Sequence, residues 1–516
     1  MLRELQLPQE MRLRGKGMGY IKMYMLSVDQ STQGTKALIF DRSGRMVVRH
    51  DMPHRQIIDE NGWVEHDLEE IWENTKEAVR SALKKAGITP EQIAGMGISN
   101  QRETVAAWNR KTGKPIYHGI VWQCPRGEVI CGGIKAQGYS RMIKERTGLE
   151  LSPYFSASKL AWLLQNVPEA VLLAETGDLC CGTIDSWLVF QLTGGTAFKT
   201  DYSNASRTQL LNIHSLKWDE EICGIFGIPT ASLPEICDSD SIFGMTSMDG
   251  LFEKPIPISC VMGDSNGALF GQGCHELGMA KATYGTGSSV MMNVGRSPVV
   301  SEEGLATSLA WSRGGEVHYV LEGNINYTGA VITWLQKQLR LIDNAAETES
   351  LAMEANPRDK TYIVPAFTGL GAPYWNSEAT ALVTGVTRMT GKPEFVKAGL
   401  ECIAYQIRDV LERMDRGERE LNRPGLTALR VDGGPTKNRY LMQFQADILG
   451  ILVEVPEDEE LSGIGVAYMA GISLGFFDSA KLFDGKKRKT YAPQMGADVR
   501  REKIWGWKKA IERTML

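Results

Sequence analysis

No stretch of the 516 residues approaches the roughly 20 apolar residues in a row that a membrane-spanning helix requires. Charge of one sign is equally scarce. The 57 basic and 62 acidic residues leave a net charge of −5, which offers no footprint for nucleic acid or an anionic membrane. The nine cysteines form no CxxC pair and no metal-ligand spacing, although Cys180 and Cys181 are adjacent. Reduced thiols in a cytoplasmic protein are the expectation. The opening, MLRELQLPQEMRLRGKGMGYIKM, is basic but lacks the apolar core of a signal peptide. Residues 1–23 are expected to be an extension, either a disordered lead or a product of translation from ahead of Met18 or Met23.

What remains is an ordinary globular composition, 43% hydrophobic and 23% charged, on a chain too long for one core. Strand-like runs alternate with amphipathic helices, the pattern of a layered α/β protein. One helix is predicted over Asp67–Lys85. An N-terminal box of Asp67 and Glu70 opens it, Leu68, Ile71, Trp72, Val79 and Leu83 form its apolar stripe, and Gly87 lies just past its end. A second is predicted from Pro393 to about Met414, with Phe395, Leu400, Ile403, Ile407, Val410 and Leu411 facing inward. Both read as core packing.

Three glycine-rich turns carry more information. MLSVDQSTQGTKALIFD, Met25–Asp41, reads as two strands joined by a small polar hairpin, with Asp29 at the end of the first strand. By itself it is a surface hairpin with an Asx residue, or a site where Asp29 holds a cation. GMAKATYGTGSSVMMNVG, Gly278–Gly295, repeats the design. Backbone N–H groups in such turns can cradle phosphate oxygens. LRVDGGPTKN, Leu429–Asn438, ends a strand on Asp432-Gly433-Gly434 and opens a helix near Asn438, where an anion or a flat ligand is favoured.

Longer ordered blocks then bear a resemblance. GWVEHD (62–67), QRET (101–104), GKPIY with IVWQC (113–124), TDYSNASRT (200–208), TYGTG (283–287), VPAFTGLGAPYW (364–375) and LMQFQADILG (441–450) are similar to the FGGY carbohydrate kinases, and among these to the glycerol-phosphorylating branch. The likeness runs from about Tyr24 to the C-terminus. It implies an α/β protein of two actin-like, ribonuclease-H-like domains, with an interdomain cleft for ATP and acceptor. The expected division is 24–274, for acceptor and phosphate binding, and 275–516, for the nucleotide. ATP and Mg²⁺ are the expected cofactors, a small polyol or sugar the substrate, and a dimer or tetramer the assembly.

The resemblance also assigns roles. Asp29 is expected to help hold Mg²⁺, consistent with an ion that takes few carboxylates and keeps its water. Thr32, Gln33, Gly34, Lys36 and Thr286 would meet phosphates, and Gly329, Thr333, Gly434 and Asn438 the rest of the nucleotide. Lys36 keeps the charge of a family arginine without its fork. Asp264, in VMGDSNGALFG, is the expected general base for the attacking hydroxyl, where without the resemblance it would read as an Asx cap. Arg102 and Glu103 are either a surface pair or a clamp on polyol hydroxyls, with Tyr154 a further hydroxyl partner and Trp122 an apolar wall.

Gln33 and Gly34 also stand at family Ser/Thr positions, and three further positions depart from the pattern. Ser265 and Ser289 replace a glutamine and an aromatic residue expected against a three-carbon substrate, and Thr333 replaces a glutamine near the nucleotide. Smaller side chains leave room for a tetritol, pentitol or ketose, so glycerol and larger acceptors both stay open. SMDGLFEKP (247–255) stands where a Gly/Arg-rich inhibitory loop is expected, and a phosphorylatable histidine is missing there. Two other classes are an actin- or chaperone-like ATPase, which would leave Arg102, Glu103 and Tyr154 idle, and a binding relative without turnover, which would be expected to lose Asp264.

Overall fold

The computed structural model describes residues 22–420, 425–484 and 486–516; most of the predicted 1–23 extension lies outside them. The chain forms two compact units. One runs up to Gly273 and includes Ser308–Tyr319 and Glu460–Asp484. The other comprises Cys274–Thr307, Val320–Glu459 and Gly485–Leu516.

The first unit is built on a six-stranded sheet: β1 (Tyr24–Gln30), β2 (Gly34–Phe40), β3 (Met46–Pro53), β4 (Ile93–Asn100), β5 (Gly244–Thr246) and β6 (Ile256–Gly263), in the order β5-β6-β4-β1-β2-β3. β1 pairs antiparallel with β2 and parallel with β4, and β4 is parallel to β6. The parallel strands β1, β4 and β6 are buried along nearly their whole length, so they read as near-continuous apolar runs. A five-stranded sheet in the same unit orders Ile57–Ile58, Val64–His66, Gly119–Ile120, Val105–Asn109 and Leu179–Thr183.

The helix Leu68–Ala86 matches its predicted span within a few residues. The Asp67 carboxylate accepts from the N–H groups of Glu69 and Glu70, and Gly87 ends the helix in the left-handed region. The second predicted helix is longer than expected, Lys392–Glu420. Its apolar stripe ends at Met414, but a charged turn with an Arg419–Asp415 pair at i,i+4 spacing continues it.

A seven-stranded sheet joins β7 (Ala280–Tyr284), β8 (Ser288–Gly295), β9 (Ala306–Arg313), β10 (Glu316–Ile325), β11 (Ala428–Asp432), β12 (Leu452–Pro456) and β13 (Arg488–Tyr491) in the order β9-β10-β8-β7-β11-β12-β13, of which β7, β8, β11, β12 and β13 lie wholly in the second unit. β7 pairs antiparallel with β8 and parallel with β11, as β1 does with β2 and β4. The internal echo in the sequence is therefore a repeated topology. Each sheet opens with a hairpin whose first strand sits at its centre.

Candidate active site

The first hairpin turns within Ser31–Gln33: the Ser31 N–H donates to the Gly34 carbonyl at 2.8 Å, and Asp29 lies opposite Lys36. The Lys36 ammonium is 2.7 Å from Glu460 and 3.6 Å from Asp29. Asp29 is buried, and its Oδ1 has no hydrogen-bond partner. Burial pushes its carboxyl up to about 6, against the pull of Lys36. Thr32 accepts at Oγ1 from the Trp122 indole at 3.0 Å, and its carbonyl lies 3.1 Å from His54 Nε2. Gln33 is exposed at the turn.

β4 delivers Gln101, Arg102 and Glu103 at its C-terminal end, the rim where open α/β sheets place ligands. β6, its parallel neighbour, ends at Gly263, and Asp264 is the first residue of the helix Asp264–Gly271. Parallel pairing thus brings Arg102 and Asp264 together: Arg102 Nε is 3.4 Å from Asp264 Oδ1. The Asp264 side chain is 36% exposed whereas that of Arg102 is buried, so the carboxylate can be reached from solvent. Ser265, next in the helix, donates its N–H to Asp264 Oδ1.

Arg102 and Glu103 are not a surface pair, since both are buried. Glu103 is 2% exposed, has a φ of 61°, and accepts from Arg207 Nε at 2.6 Å. The neighbouring Ser156 hydroxyl holds its carbonyl. The Trp122 and Tyr154 rings meet edge to face, 5.5 Å apart, so wall and hydroxyl partner form one aromatic surface. The Tyr154 segment is held from beneath by Lys159, which is buried and donates to the carbonyls of Pro153, Tyr154 and Phe155 at 2.5, 2.7 and 3.0 Å. Burial pushes that ammonium down to about 7, with the Glu103 charge opposing.

In the second unit the turn after β7 is closed by Gly285 N–H to the Gly287 carbonyl at 2.7 Å. Thr286 is exposed at its tip, and Ala330 and Thr328 donate to its carbonyl. Gly329 starts the helix Gly329–Lys337, and its N–H reaches the Gly285 carbonyl at 2.9 Å. Thr333, one turn on, is exposed and donates to the Gly329 carbonyl. Gly433 has a φ of 98°, and a Cβ there would lie 2.0 Å from the Tyr284 carbonyl, so only glycine fits between β7 and β11. Gly434 is open, and Asn438 caps the helix Arg439–Leu449 by accepting from Leu441 N–H. Ser289 lies on β8 and donates to the buried Glu322 at 3.4 Å.

Glu460, Lys159, Arg207 and His54 were not singled out from the sequence. Arg207 lies within TDYSNASRT and Lys159 follows SPYFSAS, so both motifs held the signal. Glu460 had none, being 424 residues from Lys36 in the chain.

Each of the two large sheets opens with a hairpin of small polar residues, an arrangement shared by the carbohydrate kinases whose solved structures it matches. The structure matches a glycerol kinase from Plasmodium falciparum solved with ADP, with a TM-score of 0.90 and 36% identity over 96% of this chain and 99% of that one. A xylulose kinase from Lactobacillus acidophilus, 20% identical, shares the fold with a TM-score of 0.83 over 95% of this chain and 97% of that one. The chain belongs to the FGGY family of carbohydrate kinases, whose N-terminal domain matches residues 24–271 and whose C-terminal domain matches 280–474. Glycerol kinase 1 of Thermotoga maritima is 48% identical over 96% of this chain and all of its own length. A glycerol kinase of Caldanaerobacter subterraneus is 47% identical over 95% of this chain and 98% of its own.

Proposed function

We propose that the protein transfers the γ-phosphoryl group of ATP to a terminal hydroxyl of glycerol, with Asp264 as general base. The observation that carries this is the Asp264 carboxylate, open to solvent at the start of a helix and 3.4 Å from the buried Arg102. The base accepts the hydroxyl proton as the O–P bond forms, and Arg102, 3.4 Å away, keeps it aimed. Arg102, Glu103 and Tyr154 bind the acceptor hydroxyls, and Trp122 packs on its carbons. Phosphoryl transfer asks a protein for positioning and charge neutralisation more than for covalent chemistry.

The residues fit Mg²⁺. Asp29 offers a buried carboxylate oxygen with no hydrogen-bond partner, and Mg²⁺ takes one or two carboxylates beside phosphate and water. Bound there with the nucleotide, the ion would neutralise phosphate charge. Thr32, Gln33, Gly34, Lys36 and Thr286 serve the phosphates, and Gly329, Thr333, Gly434 and Asn438 the rest of the nucleotide. The nine unpaired cysteines suit a cytoplasmic setting, and among the described residues no helix is long and apolar enough to cross a membrane.

The test is Asp264→Asn. Turnover should fall by at least about a hundredfold while ADP affinity stays within about twofold. Near-normal turnover removes Asp264 from the chemistry.

Ser265 favours a second reading, a larger acceptor. This serine adjoins the base in the chain and is partly exposed, so its small side chain leaves space there that a glutamine would fill. If that space admits a fourth or fifth carbon, Ser265→Gln should shift kcat/KM about tenfold toward glycerol relative to tetritols and pentitols. A parent enzyme that already prefers glycerol strongly, with a variant that only loses activity, returns the reading to glycerol alone.

A further inference from the structure

The motif TDYSNASRT has no part in the chemistry above, yet its side chains reach both strand ends that carry the base and the acceptor-binding pair. Asp201 caps the short helix Tyr202–Ala205, and its buried carboxylate accepts five hydrogen bonds. Two come from Ser203, two from Asn204 and one from the Ser239 hydroxyl. This fixes both side chains that the turn presents outward. The Ser203 oxygen accepts from the Gly263 N–H at 2.9 Å, one residue before Asp264. The Asn204 amide makes a reciprocal pair with the Asn100 amide at 2.9 and 3.0 Å, at the end of β4 and two residues before Arg102. Arg207 then holds Glu103 through its 2.6 Å contact. All of these residues are buried, apart from the partly exposed Gly263 neighbour Asp264.

The backbone ladder of β4 and β6 sets the register up to the pair Gly263–Asn100 and stops there. Beyond it the two strand ends are joined by side chains: Arg102 meets Asp264 and Asn266, and the turn adds hydrogen bonds from Ser203 and Asn204.

We propose that the turn Thr200–Thr208 sets the separation between the base and the acceptor-binding pair, with Ser203 a positioning residue for Asp264 and Arg207 one for Glu103. The proposal rests on the reading of Asp264 as the base. A small misplacement of a reacting group is costly because catalysis here depends on a near-attack geometry. Ser203 touches neither reactant and acts only through Asp264, so its removal should matter only while the base is present.

The experiment is a double-mutant cycle on the full-length enzyme, with single-turnover rates for glycerol phosphorylation. Ser203→Ala should cost the parent enzyme at least about five times more turnover than it costs Asp264→Asn, and Ser203→Thr should restore most of the loss. A general weakening of the fold lowers both backgrounds alike, so any smaller ratio overturns the proposal. If Ser203→Ala does not fold, Arg207→Lys decides by the same ratio, read as the rise in acceptor KM with Glu103 or Glu103→Gln in place. Asp264→Asn alone with near-normal turnover sinks the base assignment, a result distinct from a failed coupling.

Discussion

At the scale of single residues, the carboxylates of this site do opposite things to stability and to chemistry. Asp29 is buried with its pKa raised from 3.8 to about 6, chiefly by loss of water. A carboxyl whose folded pKa lies above its unfolded value binds its proton more tightly in the folded state. Stability is therefore lost as the pH rises from about 4 through about 6, and above that window the cost reaches up to about 3 kcal/mol. Asp29→Asn removes the ionisable group. Chemical denaturation should show the variant gaining most stability over the parent at pH 8, about half as much at pH 5 and little at pH 4, while its activity demands more Mg²⁺. A gain that does not change with pH would show that burial of the charge is not its source. The place of Asp29 was legible in the sequence, because an acid at the end of an apolar strand is unusual. Its surroundings were not: Lys36 is shared with Glu460, a residue contributed from the far end of the chain.

Among the elements, local signals read well and close approaches did not. Both hairpins and the capped helix Leu68–Ala86 follow from periodicity, turn chemistry and a capping acid within a few residues of one another. The helix Leu461–Ser473 shows what such signals miss. It is apolar on most of its surface, and its glycines have no turn to make. Packing explains them. A Cβ on Gly465 would lie 1.9 Å from the Gly267 carbonyl, and Gly267 belongs to the helix that Asp264 begins. Backbone contacts backbone at that point, and the helix that Asp264 begins is seated on it. Gly465→Ala should destabilise the protein by about 3 kcal/mol or more, at the upper end of overpacking effects, because the obstacle is main chain and not a side chain that can rotate. Gly132→Ala is the control. It lies within the helix Glu128–Ala136 with open space around it, and the change should be neutral or stabilise by about 0.5–1 kcal/mol. Thermal melts of the two variants decide the matter, and equal shifts would count against the packing account.

For the molecule as a whole, the chain order hides how the first unit is assembled. A sequence reader cuts the chain once, near residue 274, where one set of strands and helices ends and the hairpin motif begins again. The first unit also includes Ser308–Tyr319 and Glu460–Asp484. Ser308–Tyr319 supplies the carbonyls of Leu309 and Ala310 that bind the Asn266 amide, and the Leu309 N–H that meets Ser206. Glu460–Asp484 supplies the carboxylate for Lys36 and the glycine-lined helix under Asp264. No local periodicity could reveal either return, because each is a contact between segments far apart in sequence. A fragment of residues 22–274 therefore lacks two pieces of its own core, and it should show no cooperative unfolding transition and should expose apolar surface to a fluorescent dye. Joining residues 460–484 to that fragment through a flexible linker restores the helix that covers Gly267 and Leu38, and a measurable transition should return. If the bare fragment already melts cooperatively, the strands and helices before Gly273 form a sufficient core, and the returning segments serve the site without holding up the fold.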